Sequence, residues 1–395
     1  MNILVTNHHL YQYTGTEVSI LTLSKYLKKQ GHGVIVYSKY LAPELILSLE
    51  DYGIKVTDDL STINEEKFDI AHVQHNICAY EVRYYFPNLP IVMWIHGKLP
   101  FLEQVPALDL NISYYLTINQ TIYDFVLKNG VDKNKLIIFR NLIDSEKFYP
   151  INNISQTIKN VLVISNKLSN DKHKIITAVL EKLKLKAVFI GLAFNNMKPN
   201  DQLLNYINDA DIIFTIGLGA METMFCGRIP ILFDENFSQF QDGMVTIANF
   251  DTLKEHNFSG STLKRKMSIN DILSDLNNYN YLEGALLRKK ALENYEASQQ
   301  IDKILAIYKN AINKFKPKKC SKLNNTIIDQ IVKSIQETKN YTTDVLHKQV
   351  IDRQTQEIKA IKKEKYDLLK KIYSSKAYKM WQIYNFFKKK IKKSL

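Results

Sequence analysis

The stretch from Ala210 to Asp234, ADIIFTIGLGAMETMFCGRIPILFD, constrains the fold more than any other part of the chain. Asp211-Ile212-Ile213-Phe214 is an apolar run of the right length for a buried parallel strand. Gly217 and Gly219 break it, Ala220 to Phe225 carries a helical turn or two, and Gly227 stands where a helix ends. Ile229 to Phe233 is a second apolar run. The order is strand, glycine loop, helix, strand, the repeating unit of a parallel α/β sheet. Glycines at such a turn let the backbone approach a ligand, and the helix start behind them offers unpaired N–H groups to an anion. Glu222 falls beside that anion site. Its carboxylate either accepts from a sugar diol or simply complements the helix dipole, and spacing alone leaves both open.

Residues 1–150 alternate short apolar runs with helical patterns, which predicts a doubly wound α/β domain. Strands are expected at Ile3–Val5, Gly33–Ser38, Ile70–Val73, Ile91–Ile95 and Tyr115–Ile118, with an amphipathic helix over Val18–Gln30. The first strand, loop and helix invite a dinucleotide site. Only Gly15 is present where G-x-G-x-x-G is needed, however, and no acid sits in the expected place after the second strand. A second α/β unit restarts at Val161–Ser165 and runs through a lysine-rich loop, a helix over Ile175–Leu183 and a strand over Ala187–Gly191. Residues 285–315 read as one long helical pattern. His8 and His9 follow the first strand, and His75 and His96 end later ones, on the sheet edge where α/β sites gather. A lone histidine is more often structural than catalytic, but several on one edge point to a site.

Gly217, Glu222, Gly227 and Pro230, taken in order, resemble the donor-site motif of family 4 retaining glycosyltransferases. The resemblance covers residues 1–315. It implies the GT-B fold, an α/β protein with two Rossmann-like domains facing a cleft, followed here by a basic helical tail. The domains would be an acceptor-side domain at 1–150 and a nucleotide-sugar domain at 151–284. A crossing helix at 285–316 would return to the first domain, and the tail would occupy 317–395. In the family the second motif Glu holds the ribose hydroxyls, which assigns that role to Glu222. Phe214 occupies the place of the first Glu, the usual donor-sugar contact. Gly15-Thr16-Glu17 resembles the family's cleft sequence Gly-Gly-x-Glu. Asn141, Asp144, Phe148 and Pro150 resemble its domain linker, with Arg140 and Leu142 departing from it. The diphosphate would meet Lys172, with Lys167 beside the position of a missing Arg. His96, in WIHGK, matches a family histidine that contacts the donor sugar near the reacting carbon, and is the expected catalytic residue.

The nucleotide-sugar site would thus comprise Gly15, Lys167, Lys172, Gly217, Gly219 and Glu222. No cofactor and no metal are expected. The implied activity is transfer of a sugar from a nucleotide-sugar donor to a glycan or lipid-linked acceptor in cell-surface polysaccharide assembly. A scaffold with a degenerate donor site, suggested by Phe214 and the missing Arg, is the rival reading.

The net charge of +13 belongs to an appendage. Residues 318–395 hold 20 Lys and Arg against 7 Asp and Glu, an excess of 13, so residues 1–317 are neutral. Residues 345–372 carry a loose heptad seam that fits either a lone polar helix or self-association through a coiled coil. Trp381, Tyr384, Phe386 and Phe387 stand among Lys388, Lys389, Lys390, Lys392 and Lys393, a composition suited to an anionic membrane surface more than to nucleic acid. The three cysteines, Cys78, Cys226 and Cys320, are odd in number and far apart, which argues against a disulfide framework. The expected location is cytoplasmic, peripheral on the inner face of the membrane.

Overall fold

The computed structural model describes residues 1–317, apart from residue 12 and residues 99–100, 195, 197–201 and 235–238. The basic tail, with its seam at 345–372 and its aromatic and lysine-rich end, lies outside the described residues.

The first half holds β1 (Asn2–Leu10), α1 (Gly15–Lys29), β2 (Gly33–Leu41), α2 (Pro43–Glu50), β3 (Lys55–Thr57), β4 (Ile70–Val73), α3 (Asn76–Tyr85), β5 (Ile91–Ile95), β6 (Tyr114–Thr117), α4 (Gln120–Lys128) and β7 (Leu136–Ile138). Its strands form one sheet in the order β3-β2-β1-β4-β5-β6-β7, parallel throughout. The second half holds β8 (Asn160–Ile164), α5 (Asn170–Leu183), β9 (Lys186–Ile190), α6 (Leu203–Asp209), β10 (Ile212–Thr215), α7 (Gly217–Phe225), β11 (Ile229–Phe233), β12 (Phe240–Met244), α8 (Phe250–Lys254), β13 (Arg265–Lys266), α9 (Ile269–Asn277), α10 (Leu282–Tyr295) and α11 (Ala297–Lys314). Its sheet runs β13-β12-β11-β10-β8-β9, with β12 and β13 antiparallel at one edge.

The apolar runs expected as strands all fall on observed strands. β4, β5, β10 and β11 are buried along their whole length, as unbroken apolar runs covered on both faces must be. Each sheet reverses its strand order once, between β1 and β4 in the first and between β8 and β10 in the second. A crevice opens at the carboxyl ends of the strands at each such point.

Two helices start earlier than periodicity suggests. α1 begins at Gly15 because Glu17 reaches back over the helix start. Its carboxylate accepts from the Thr14 N–H at 3.0 Å, the Thr14 hydroxyl at 2.6 Å and the Tyr11 N–H at 2.8 Å. α7 begins at Gly217, so the glycine loop is the helix's own first turn.

The helical run 285–315 is not one helix. α10 and α11 meet at Glu296, whose ψ of 117° is extended. The cause lies in the linker. Ile143 N–H donates to the Tyr295 carbonyl at 2.8 Å and the Ile143 carbonyl accepts from Ala297 N–H at 2.9 Å. The linker takes two hydrogen-bonding groups that a continuous helix would use, and the Glu296 side chain caps α11 on Ser298 N–H at 3.3 Å. α10 packs on α7 and β11 of the second sheet, while α11 packs on α1, β4 and β5 of the first.

The linker is anchored by charge. The Asp144 carboxylate accepts from Lys25 Nζ at 2.5 Å and from the Tyr26 hydroxyl at 2.9 Å, both on α1, and all three are buried. Asp144→Ala leaves the Lys25 ammonium buried without this partner and is expected to cost about 3–5 kcal/mol. Lys29→Ala, which removes only an exposed pair with Glu146, is expected to cost no more than about 1 kcal/mol. Urea midpoints with an unchanged slope read both, and equal losses would remove Asp144 from this anchoring role.

Candidate functional site

A cavity of about 330 Å³ lies where the two crevices face one another. The first half contributes Tyr13, Thr14, Gly15 and Val18, on the turn from β1 into α1. The second contributes the residues after β8, the end of β9 with Gly191, and Thr215 to Gly219 with Glu222 on α7. Backbone makes much of this wall, and glycine is required for it. Gly191 has φ +122°, and a Cβ there would overlap the Ser165 carbonyl. Gly217 opens α7 at φ +54°, a left-handed value that side chains resist. No side chain caps α7, so its first turn presents N–H groups and the positive dipole end on the cavity side.

Four of the expected donor-site residues, Gly15, Gly217, Gly219 and Glu222, share this wall. The two lysines do not. Lys167 is exposed, its backbone N–H donating to Ser165 Oγ at 3.2 Å. Lys172 is buried at the start of α5, where its ammonium donates to the Asp234 carbonyl. Among the described residues no lysine or arginine lines the cavity. Phe214 is fully buried in β10 and takes no part in the wall.

Glu222 is 6% exposed, and among the described residues no hydrogen bond reaches its carboxylate. Burial pushes its pKa up to about 7, with the Lys147 charge pulling the other way. It also borders a second cavity of about 350 Å³, between α1, the end of α2 and the linker, where Lys25 and Asp144 stand. Tyr13 and Val18 are common to both cavities. Glu222 is therefore a buried acceptor with its own hydrogen-bonding capacity unused, on the wall of a cavity floored by glycine backbone.

His96 lines neither cavity. It follows β5, its backbone N–H donating to Glu103 Oε2 at 2.8 Å and its Nε2 lying 2.9 Å from Gln74 Nε2. The ring packs on Trp94 with centroids 4.3 Å apart. Burial, partly offset by the Glu103 charge, pulls its pKa down to about 4, so it is neutral at pH 7. Burial likewise holds His8 near 3 and His9 near 4, each with a lowering contribution from His75. His72, deeper in β4 and bonded through Nδ1 to the Tyr308 hydroxyl at 2.8 Å, is held near 3. Glu103 is buried but ionised more readily than usual, because hydrogen bonding and charge from His75 and His96 outweigh its desolvation.

Tyr13, Gln74 and Glu103 were not among the residues expected from sequence. Gln74 stands next to His75, itself singled out at a strand end, which is a usable signal. Glu103 ends a single 3-10 turn, Phe101–Glu103, after His96 and carries none. Among the described residues, no group of three or more His, Cys, Asp or Glu side chains is arranged to hold a metal ion. No described helix is long and apolar enough to cross a membrane.

No protein-family model and no curated protein matches the sequence. Solved structures do match by fold. A glycosyltransferase from Rickettsia africae is 16% identical with a TM-score of 0.52, covering 80% of this chain and 99% of that one. HepE from Anabaena in complex with UDP and glucose is 12% identical with a TM-score of 0.57, covering 78% and 100%. The same protein in complex with UDP-glucose gives 13% and 0.56 over the same shares. At these identities the likeness is one of architecture, and it establishes the fold as α/β of the GT-B type, two Rossmann-like halves with a cleft between them.

Proposed function

We propose that the protein is a nucleotide-sugar-dependent glycosyltransferase whose donor lies in the cavity walled by Gly15, Gly217, Gly219 and Glu222. The observation that carries this reading is Glu222. A buried carboxylate with no hydrogen bond among the described residues, beside a glycine-opened helix start, suits a ribose diol flanked by a diphosphate. Backbone N–H groups and the α7 dipole would meet the diphosphate. Lys167 and Lys172 could join them only by moving from the positions described above. The complexes of HepE with UDP and UDP-glucose make a uridine nucleotide the first donor to try. Retention of configuration and a role in cell-surface polysaccharide assembly rest on the motif resemblance, and His96 remains the proposed contact to the donor sugar from the opposite half.

Glu222→Ala is expected to weaken UDP binding by about 1.5–3 kcal/mol, the range for hydrogen bonds to a charged group, without lowering the melting temperature. The ionised carboxylate is the acceptor, so wild-type affinity should fall as pH drops through 7, and that dependence should vanish in Glu222→Gln. Calorimetry from about pH 5.5 to about pH 8 reads both, and unchanged affinity would remove Glu222 from the donor site.

A second reading, a binding protein that does not turn its donor over, is favoured by the cavity's lack of a lysine or arginine among the described residues. Turnover separates the two. If the transferase reading holds, His96→Ala abolishes transfer while UDP affinity stays nearly unchanged. Equal turnover in both proteins would refute the role of His96, and no turnover with any pairing of donor and acceptor would favour the binding protein.

The tail is proposed as a contact to anionic membrane. Each lysine near such a surface contributes on the order of 1 kcal/mol, and Trp381, Tyr384, Phe386 and Phe387 would add insertion that salt does not screen. Truncation after Ile372 is expected to keep UDP binding and to lose sedimentation with anionic vesicles. A truncated protein that still pellets would move the membrane contact to the folded halves.

A further inference from the structure

The second cavity, of about 350 Å³, shares Tyr13, Val18 and Glu222 with the donor cavity and is otherwise lined by different residues. Val18, Leu21, Thr22 and Lys25 line it from one face of α1, at the three- and four-residue spacing that stacks side chains along a helix. The linker supplies its floor with Leu142, Ile143 and Phe148, each no more than 2% exposed. Ser48 and Tyr52, at the end of α2 and just beyond it, close the far side. Leu21 is only partly buried and Tyr52 is 42% exposed, so apolar surface at the mouth stays uncovered.

Two polar contacts on this wall are closed within the protein. Lys25 is held by Asp144 at 2.5 Å and by Glu146 at 3.1 Å, and the Tyr13 hydroxyl and Ser48 Oγ bond each other at 3.3 Å. Glu222 is different, a buried carboxylate that no hydrogen bond reaches among the described residues. Charge balance limits what can enter. Inside the mouth the charges are Lys25 and Lys147 against Asp144 and Glu222, while Asp51 stands exposed at the rim. An added charge of either sign meets as many like charges as opposite ones and still loses its hydration. A cavity at the junction of two halves, walled by aliphatic and aromatic side chains around one open acceptor, is the form that small-molecule sites take.

We propose that this cavity is an effector site for an uncharged amphiphile, an aliphatic chain ending in a hydroxyl, and that its occupant weakens nucleotide binding. The chain covers Leu21, Leu142 and Phe148, and the hydroxyl donates to Glu222. The coupling, though not the site, rests on the donor reading above. A ribose diol donates two hydroxyls to the two oxygens of this carboxylate. An alcohol competes for one of them from the other cavity, so each ligand lowers the affinity of the other by the same factor.

The test uses the full chain with its leucine methyls isotope-labelled, at about pH 8, where Glu222 is ionised. Octanol, octanoate and octylammonium are titrated separately, reading the methyls of Leu21 and Leu142. The expected result is a saturable shift of both residues with octanol, and binding at least tenfold weaker for the two charged probes. Saturating octanol is expected to raise the UDP Kd about tenfold, as for loss of one hydrogen bond to a charged group. Leu21→Trp fills the cavity from a partly exposed position off the donor wall. It should abolish the Leu142 shift and the effect on UDP, with UDP affinity alone within twofold of the wild type. Tyr52→Ala, at an exposed position, should weaken octanol at least threefold and keeps the test decisive if the tryptophan disturbs α1. Octanol that moves neither leucine, charged probes that bind as well, or octanol that leaves UDP affinity unchanged would overturn the proposal. So would Overhauser contacts from the uracil ring of UDP to Leu21 or Leu142, which would put the nucleotide itself in this cavity. Absence of UDP binding would instead sink the donor assignment, and the methyl shifts would still decide the site.

Discussion

The Asp144 carboxylate is the point on which the two halves depend. It sits on the linker, yet its partners, Lys25 and Tyr26, are on α1 of the first half. One residue earlier, Ile143 trades two backbone hydrogen bonds with the break between α10 and α11. The chain therefore passes between halves twice at one level, and the two passages are bonded to each other. α1 is the helix whose start, at Gly15, forms part of the cavity wall. A buried ion pair contributes little net stability against an apolar replacement, but it fixes one arrangement, since removing Asp144 leaves the buried Lys25 ammonium only the half-exposed Glu146, 3.1 Å away. The position of Gly15 opposite Gly217 follows from that fixed arrangement.

The site itself is built from backbone more than from side chains. Glycines at 191 and 217 hold conformations that no other residue adopts without strain, and they bring main-chain groups to the cavity surface. Helix starts from both halves converge on it, and Glu222 stands on its wall as a single buried acid. The opposite edge carries neutral imidazoles and amides around the ionised Glu103. The polarity of each surface follows from burial acting on different groups. Burial raises a carboxyl and lowers an imidazole, so both kinds of residue become less charged than their chemistry at the surface would make them.

Much of this was legible in the residues. Unbroken apolar runs such as IVMWI and IPILF announced strands covered on both faces, and the glycines after Phe214 marked the cavity wall. The resemblance placed Gly15, Gly217, Gly219 and Glu222 together, and they are together. It also placed Lys167 and Lys172 at the site; in the structure neither lines the cavity, Lys167 being exposed and the Lys172 ammonium turned to the Asp234 carbonyl. A lysine at the start of α5 can turn inward to a carbonyl as readily as outward to a ligand, and sequence contains no signal for the choice. The break at Glu296 was hidden for a similar reason. The helical periodicity continues through it, and the competing hydrogen bonds come from Ile143, far away in the chain. Glu103 could not have been picked out at all, because it sits on one short 3-10 turn, too brief to leave a period in the sequence.

The four neutral histidines have a consequence for the whole molecule. His8, His9, His72 and His96 have folded-state pKa values of about 3 or 4, whereas the unfolded chain takes up those protons near 6.5. Between those limits the unfolded state binds more protons, and the folded state loses ground with each one as pH falls below 6.5. Glu81 and Glu222, raised by burial to about 7 against an ordinary 4.5, act in the opposite sense across 4.5 to 7, but they are two against four. The arrangement that leaves the sheet edge uncharged thereby makes the architecture intolerant of acid, and ties the integrity of the first half to a near-neutral medium.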